Sequence, residues 1–386
     1  MDQTVGTGGG ALLAPATDRL WPEGWLRIVA GRRHSRPFRW FNERVATAAT
    51  SRGRSRVSTR RPPHRLLRRS FGLLVVVAVV AVVAIVAGSF ALAPAARPSG
   101  KFDGAVAVDP AEFSATACQA LPPTRGDNGH TVFLDAGHGG IDPGAVGTTT
   151  AGATVEEAAD TLPVELDAAT QLRDQGYRVV VSRTTDSSVA RLDAVDVDEG
   201  VLSLQGAHDD VAARDICADK GGAQALVGIY FDSGGSPDNA GSLTTYDAAR
   251  PFAAANLRLA DLVQQDVLSA MNNQGWGIPN AGVTQDSQEG SLVPTSSDSP
   301  LAVAAANYGH VLLLGPAMAG YFTTPSTMPG ALIEPLFITD PFEATIASSS
   351  KGQMVMARGI DLAIQQYFAP TVTSRQNHSG TATTAL

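Results

Sequence analysis

Apolar residues are unevenly spaced along the chain, and the spacing separates several kinds of element. Phe71–Ala93 runs for 23 residues without a charge. About 20 apolar residues cross a bilayer core as a helix, so this stretch predicts one transmembrane helix. From His130 onward the apolar runs are short. Thr131–Asp135, Tyr177–Asp186, Ala225–Phe231, His310–Pro316 and Gly330–Phe337 read as strands. Between them, Leu166–Gly176, Ala207–Gly222, Pro251–Met271 and Lys351–Phe368 carry apolar residues at helical spacing. Strands alternating with helices predict an α/β domain, with a mostly parallel central sheet flanked by helices. Sites in such sheets lie at the carboxyl ends of strands. The Asp135–His138 turn, Tyr230–Asp232 and Glu334 fall there.

Charge divides the chain further. The whole carries a net charge of −8, but residues 1–70 hold fifteen arginines against four acidic residues. Arg60, Arg61, Arg65, Arg68 and Arg69 crowd the front of the apolar stretch, and only Arg97 and Lys101 follow closely behind it. The positive-inside rule then leaves the N-terminus in the cytoplasm and exports the rest. The expected location is the cell membrane, single-pass, with the C-terminal domain on the cell-wall side. A cleaved signal peptide is the other reading. It is opposed by the 70 preceding residues and by Pro94 directly after Ala91–Ala93.

Residues 1–70 mix Gly, Pro, Ser and Arg, and read as a disordered segment drawn to anionic headgroups. They carry no nucleic-acid-binding motif. Residues 94–127, rich in Ala and Pro, read as a linker. Residues 128–370 form the α/β domain, and the Ser/Thr-rich 371–386 read as a disordered tail. Cys118 and Cys217 both fall on the exported side, where one disulfide can persist; the alternative is two unpaired thiols.

The stretch "LDAGHGGIDPGAVG", Leu134–Gly147, is the most specific motif. With the motifs that follow it, it resembles the opening of zinc-dependent N-acetylmuramoyl-L-alanine amidases of the amidase-3 type, over about His130–Phe368. "GYRVVVSRTTD" (Gly176–Asp186), "ARDICAD" around Arg214, "VGIYFDS" (Val227–Ser233) and "IEPLF" (Ile333–Phe337) follow in the family's order. The resemblance implies a zinc-peptidase-like α/β fold and hydrolysis of the amide between N-acetylmuramic acid and L-alanine in peptidoglycan. It implies His138 as the first zinc ligand and Glu157 as the second, with Glu156 as second choice. Glu334 takes the place of the catalytic acid and base. The chemistry suits these residue types. Catalytic zinc keeps three protein ligands and one open position, and a nearby carboxylate carries the proton to the leaving amine.

The sequence departs from the family at the third ligand. Tyr230 occupies the position of the family's histidine, and Asp232, two residues on along a strand, shares its face. His208 and His310 are the other spare imidazoles, and no spacing ties them to the motif. Ala136 replaces the usual Pro, Pro335 and Leu336 stand where the family has a small stretch with Gly, and Pro163 suggests a helix starting near Leu162 with Glu157 on the loop before it. Two readings follow. One is a membrane-anchored peptidoglycan amidase with an altered metal site. The other is a catalytically inactive amidase-like domain that binds wall fragments or envelope partners.

Overall fold

The computed structural model describes residues 102–370, except 235, 237, 238 and 290–298. Residues 1–70, the predicted transmembrane stretch and the tail 371–386 lie outside the described residues. Among the described residues, no helix is long and apolar enough to cross a membrane.

The elements run in chain order as β1 (Val106–Ala107), β2 (Ala117–Leu121), β3 (Thr131–Ala136), β4 (Val146–Thr148), β5 (Thr154–Glu156), α1 (Glu157–Asp174), β6 (Arg178–Arg183), β7 (Val197–Asp198), β8 (Val201–Leu202), α2 (Leu204–Lys220), β9 (Ala225–Ile229), β10 (Ser242–Tyr246), α3 (Ala253–Asn272), β11 (Asn280–Gln285), α4 (Asp286–Glu289), α5 (Pro300–Tyr308), β12 (Gly330–Glu334), α6 (Pro341–Ala347) and α7 (Ser350–Phe368). Eight strands form one sheet in the order β1-β2-β6-β3-β9-β12-β10-β11. The four central strands, β6, β3, β9 and β12, are parallel. β2 and β10 flank them antiparallel, and β11 runs parallel to β10.

Alternation along the central strands builds two cores. Val132, Leu134, Val179, Val181, Val227 and Ile333 face α1, α3 and α7. Phe133, Val180, Leu226 and Leu332 face the other way, towards α2 and the turn carrying Leu313 and Leu314. Burying one such side chain is worth about 1.5–3 kcal/mol. A slip of one residue would exchange the two sets, so register is fixed from both faces. All four parallel strands therefore end on the same edge.

Several expectations change. The linker reading of 94–127 does not hold across its length, because β1 and β2 lie within it. Ala117, Cys118 and Leu121 are buried there, and β2 pairs with β6. The apolar run His310–Pro316 is a turn, not a strand; Leu313 and Leu314 drop into the core from it. Helix α1 starts at Glu157, five residues earlier than Pro163 suggested, and carries that proline inside. The single-bridge reading of the cysteines is borne out: Cys118 on β2 and Cys217 on α2 form a disulfide with a Cα–Cα distance of 5.6 Å.

Candidate functional site

The carboxyl ends of β3, β9 and β12 lie side by side. Gly137 N donates to Ile229 O at 2.9 Å, and Tyr230 N donates to Ile333 O at 3.0 Å. Asp135, His138, Tyr230 and Glu334 therefore come out on one edge of the sheet, from three neighbouring strands.

The loop leaving β3 is shaped by two arginines and one helix start. Arg183 donates to Ala136 O, Gly137 O and Ala158 O at 3.3, 3.1 and 2.7 Å. Arg214 donates to Ala136 O at 2.7 Å and His138 O at 2.8 Å, and pairs with Asp135 at 2.6 Å and Asp210 at 2.7 Å. At the amino end of α1 no side chain caps the helix. Its first N–H groups go instead to the same loop, Glu157 N to Ala145 O at 2.9 Å and Ala158 N to Pro143 O at 3.0 Å. These backbone bonds fill donors that a helix start otherwise leaves open, and they set Glu157 beside the loop.

Under that hold His138 sits at φ 61°, in the left-handed region that costs a non-glycine residue roughly 1–2 kcal/mol. The conformation aims the imidazole at two carboxylates. Nδ1 lies 2.7 Å from Asp142 and Nε2 lies 3.2 Å from Glu157. Glu157 is further fixed by Phe231 N at 2.8 Å and Ala145 N at 2.9 Å. Gly144 closes the pocket. A Cβ there would fall 2.6 Å from the His138 ring and 2.8 Å from Glu157, at a φ of 66°, so only glycine fits.

Burial opposes the imidazolium, but Glu157 and then Asp142 outweigh it and raise the His138 pKa to about 10. A group raised in this way adds stability below its unfolded value of 6.5 and loses it as pH rises through about 10. Asp142→Asn is expected to lower that midpoint and flatten the pH dependence of stability between 6.5 and 10. NMR titration of the imidazole in EDTA-treated protein reads this directly. An unmoved midpoint would remove Asp142 from the account.

Tyr230 fills the neighbouring space. Its ring lies over Gly137, where a Cβ would come within 2.5 Å of it, and meets the His138 ring edge-on at 5.5 Å. The hydroxyl donates to Asp135 Oδ2 at 3.1 Å. Burial, then Asp135, push this phenol well above its usual range, so it stays a protonated donor. Asp232 is buried, and its Oδ1 accepts from Ser233 N at 2.7 Å. Among the described residues, no third His, Cys, Asp or Glu brings a ligand atom within 4.8 Å of both His138 and Glu157. Two donors thus fit a zinc ion, and an outer carboxylate orients the histidine as metal-bound histidines require. Position 230 does not fit as the third.

Glu334, the last residue of β12, is buried and lies opposite Leu243 of β10. Past it, Glu343 on α6 accepts from Phe337 N at 2.6 Å and Gly241 N at 2.9 Å, and so fixes the exit of the strand. Glu156, the alternative to Glu157, is the residue before α1 and closes β5. His208 is engaged elsewhere, by Asp209 at 2.8 Å and Tyr321 O at 2.9 Å. His310 joins Asp247 and Asp286 instead. The sequence reading passed over Asp142, although it stands four residues after His138 in the quoted motif. It also passed over Asp247 and Asp286, for which the sequence gives no spacing signal.

Comparison with known proteins identifies the family. Residues 132–366 match the family model described as N-acetylmuramoyl-L-alanine amidase. Over 242 residues the chain is 25% identical to the germination-specific N-acetylmuramoyl-L-alanine amidase of Bacillus subtilis (strain 168), covering 62% of this chain and 81% of that protein. Among solved structures, an N-acetylmuramoyl-L-alanine amidase from Clostridium difficile 630 is 25% identical, covering 62% of this chain and 97% of that one at a TM-score of 0.42. The N-acetylmuramoyl-L-alanine amidase AmiC2 of Nostoc punctiforme is 23% identical, covering 63% of this chain and 98% of that one at a TM-score of 0.41.

Proposed function

The chain belongs to the N-acetylmuramoyl-L-alanine amidases, hydrolases of cell-wall peptidoglycan, and from that premise we propose how and where it acts. The bond cut is the amide joining N-acetylmuramic acid to L-alanine. The observation that carries this reading is the pair His138 Nε2 and Glu157 Oε2, 3.2 Å apart, with Asp142 behind the imidazole. These two residues would hold a zinc ion. When bound, such an ion supplies a Lewis acid that polarises the scissile carbonyl and activates water. The chain's own groups do the rest. Asp142 keeps the imidazole oriented. Glu334, at the end of β12, holds and delivers the proton needed by the leaving amine. Phe71–Ala93 would anchor the protein in the cell membrane with the domain on the wall side, within reach of peptidoglycan.

A second reading has its own observation. The Tyr230 hydroxyl is committed to Asp135, which favours an amidase-like domain that binds wall fragments without turnover. The full-length protein separates the two. Zinc bound at His138, with stem peptides released from purified peptidoglycan and both lost in His138→Ala, supports the hydrolase. No zinc there and no release supports the binding module.

Tyr230→His is the sharper variant. It returns an imidazole to the family's third position, and the expected result is at least a tenfold gain in zinc affinity at this centre. That is the lower end of the roughly 10–100-fold worth of an outer-shell partner, and a direct ligand should exceed it. Competition with a chelator measures the gain. Unchanged affinity would mean that position 230 does not face the metal.

A further inference from the structure

We infer that Asp247, Asp286 and His310 form a second divalent-cation site, separate from the His138 centre. It lies on the opposite edge of the sheet. β10 is antiparallel to β12, with Thr245 opposite Leu332, so Asp247, two residues on, is level with Gly330. At about 3.3 Å per residue, that is roughly 13 Å down β12 from Glu334. β11 runs with β10, and Asp286 follows it on the same edge. His310 comes from the turn after α5.

The three side chains converge, with one ligand atom from each inside a 4.8 Å sphere of mutual distance. His310 Nδ1 lies 2.9 Å from Asp247 Oδ2 and 3.1 Å from Asp286 Oδ2. One nitrogen has at most one hydrogen to give, so it cannot satisfy both carboxylates at once. Asp247 is fully buried, its Oδ1 is taken by Ala249 N and Arg250 N at 2.6 and 2.8 Å, and its Oδ2 receives no hydrogen bond although it points into the cluster. Asp286 is 1% exposed, and its Oδ1 is likewise without a hydrogen bond. A buried carboxylate oxygen left without a donor is costly. Two buried carboxylates sharing one imidazole nitrogen make a place built for positive charge.

The donor set selects the ion. Carboxylates alone suit magnesium and calcium, whereas an imidazole between two carboxylates suits zinc and its transition-metal neighbours. Zinc held by three protein donors at 2.0–2.2 Å spreads them to about 3.4 Å apart, a few tenths of an ångström beyond the present distances. His310 is partly exposed, which leaves a way in. The ion would tie the ends of β10 and β11 to the turn after α5.

The test uses full-length protein stripped with EDTA and titrated with zinc chloride alone, reading bound zinc by elemental analysis and the thermal midpoint. Wild type should gain several degrees at saturating zinc and lose them again with EDTA. Asp286→Asn and His310→Ala should each bind one equivalent fewer and lose that gain, while His138→Ala keeps it. Asp286→Asn removes a buried charge at constant shape, so its zinc-free midpoint should be no lower than that of wild type. A wild-type midpoint indifferent to zinc overturns the proposal, even if the variants fail to fold. So does a gain that survives Asp286→Asn and disappears in His138→Ala. Failure of the amidase reading would show only in the His138 variant and in peptide release, so the two are separable.

Discussion

Replacing Arg214 with alanine is expected to cost about 3–5 kcal/mol of folding stability, the range for removing one partner of a buried ion pair. The guanidinium is 1% exposed and lies between Asp135, fully buried, and Asp210, 3% exposed. Burial works against this cation, but Asp135 and Asp210 more than reverse the effect and raise its pKa well above the usual arginine range. Its loss would strand two carboxylates in the interior, remove the donor to His138 O and leave Ala136 O with Arg183 alone. The second consequence bears on function. His138 holds a left-handed backbone only while its surroundings impose it, and Arg214 is the side chain that bonds its carbonyl directly. Denaturant unfolding of the full-length variant measures the cost. Arg214→Met combined with Asp135→Asn and Asp210→Asn should recover part of it, because no anion is then left unpaired. A loss under about 1 kcal/mol from Arg214→Ala alone would show that water or a rearranged partner replaces the guanidinium.

What the sequence made legible follows from how each element is stabilised. β3, β6, β9 and β12 are buried on both faces, so they appear as continuous apolar runs. β10 is buried too, yet it escaped notice because Ser242, Thr244 and Thr245 fill it. The polar groups of Ser242 and Thr244 are served by one residue far along the chain. Gln264 on α3 accepts from Thr244 at 2.8 Å and donates to Ser242 O and Asn280, each at 2.8 Å. A strand whose polarity is satisfied by a distant glutamine has no local signature. His310–Pro316 errs in the opposite sense. Its leucines signal burial correctly, but burial can be reached from a turn as well as from a strand. Pro163 misplaced the start of α1 for a related reason. The helix begins where the His138 loop supplies acceptors for its first N–H groups, and that is a tertiary fact.

The candidate site divides in the same way. His138 and Glu157 were readable because their motifs stand in order along the chain, and the structure sets them 3.2 Å apart. The cluster of Asp247, Asp286 and His310 was not, since it joins two strand ends and a turn that only the sheet brings together. Nothing in the spacing of His310 points to a partner. Both of its partners follow strands that the sequence did not reveal.

Removing the Cys118–Cys217 bridge is the other change expected to cost several kcal/mol. The cysteines are 99 residues apart, and closing a loop of that length restricts the unfolded chain by about 4–5 kcal/mol in the chain-entropy model; measured losses run about 2–5. Both sulfurs are buried in the core with Phe113, Phe133, Val180 and Leu226, so a serine would add the cost of an unpaired hydroxyl. The double alanine variant is the cleaner test. Urea unfolding should show the loss in wild type reduced while unfolded as well as in the variant, and agreement between the two would assign it to the bridge. Equal stability with and without reductant would refute the effect. Such a bridge persists in oxidising compartments, which is the side of the membrane proposed for this domain. Its position also links it to the site. Cys217 stands three residues after Arg214 on α2, on the same side of the helix, so the bridge pins to β2 the helix that supplies the guanidinium. If it does so, Arg214→Ala and the double alanine variant should cost less together than the sum of their separate losses, because each loosens the same helix. Strict additivity would mean that the disulfide acts on the unfolded chain alone and that the His138 turn is held without it.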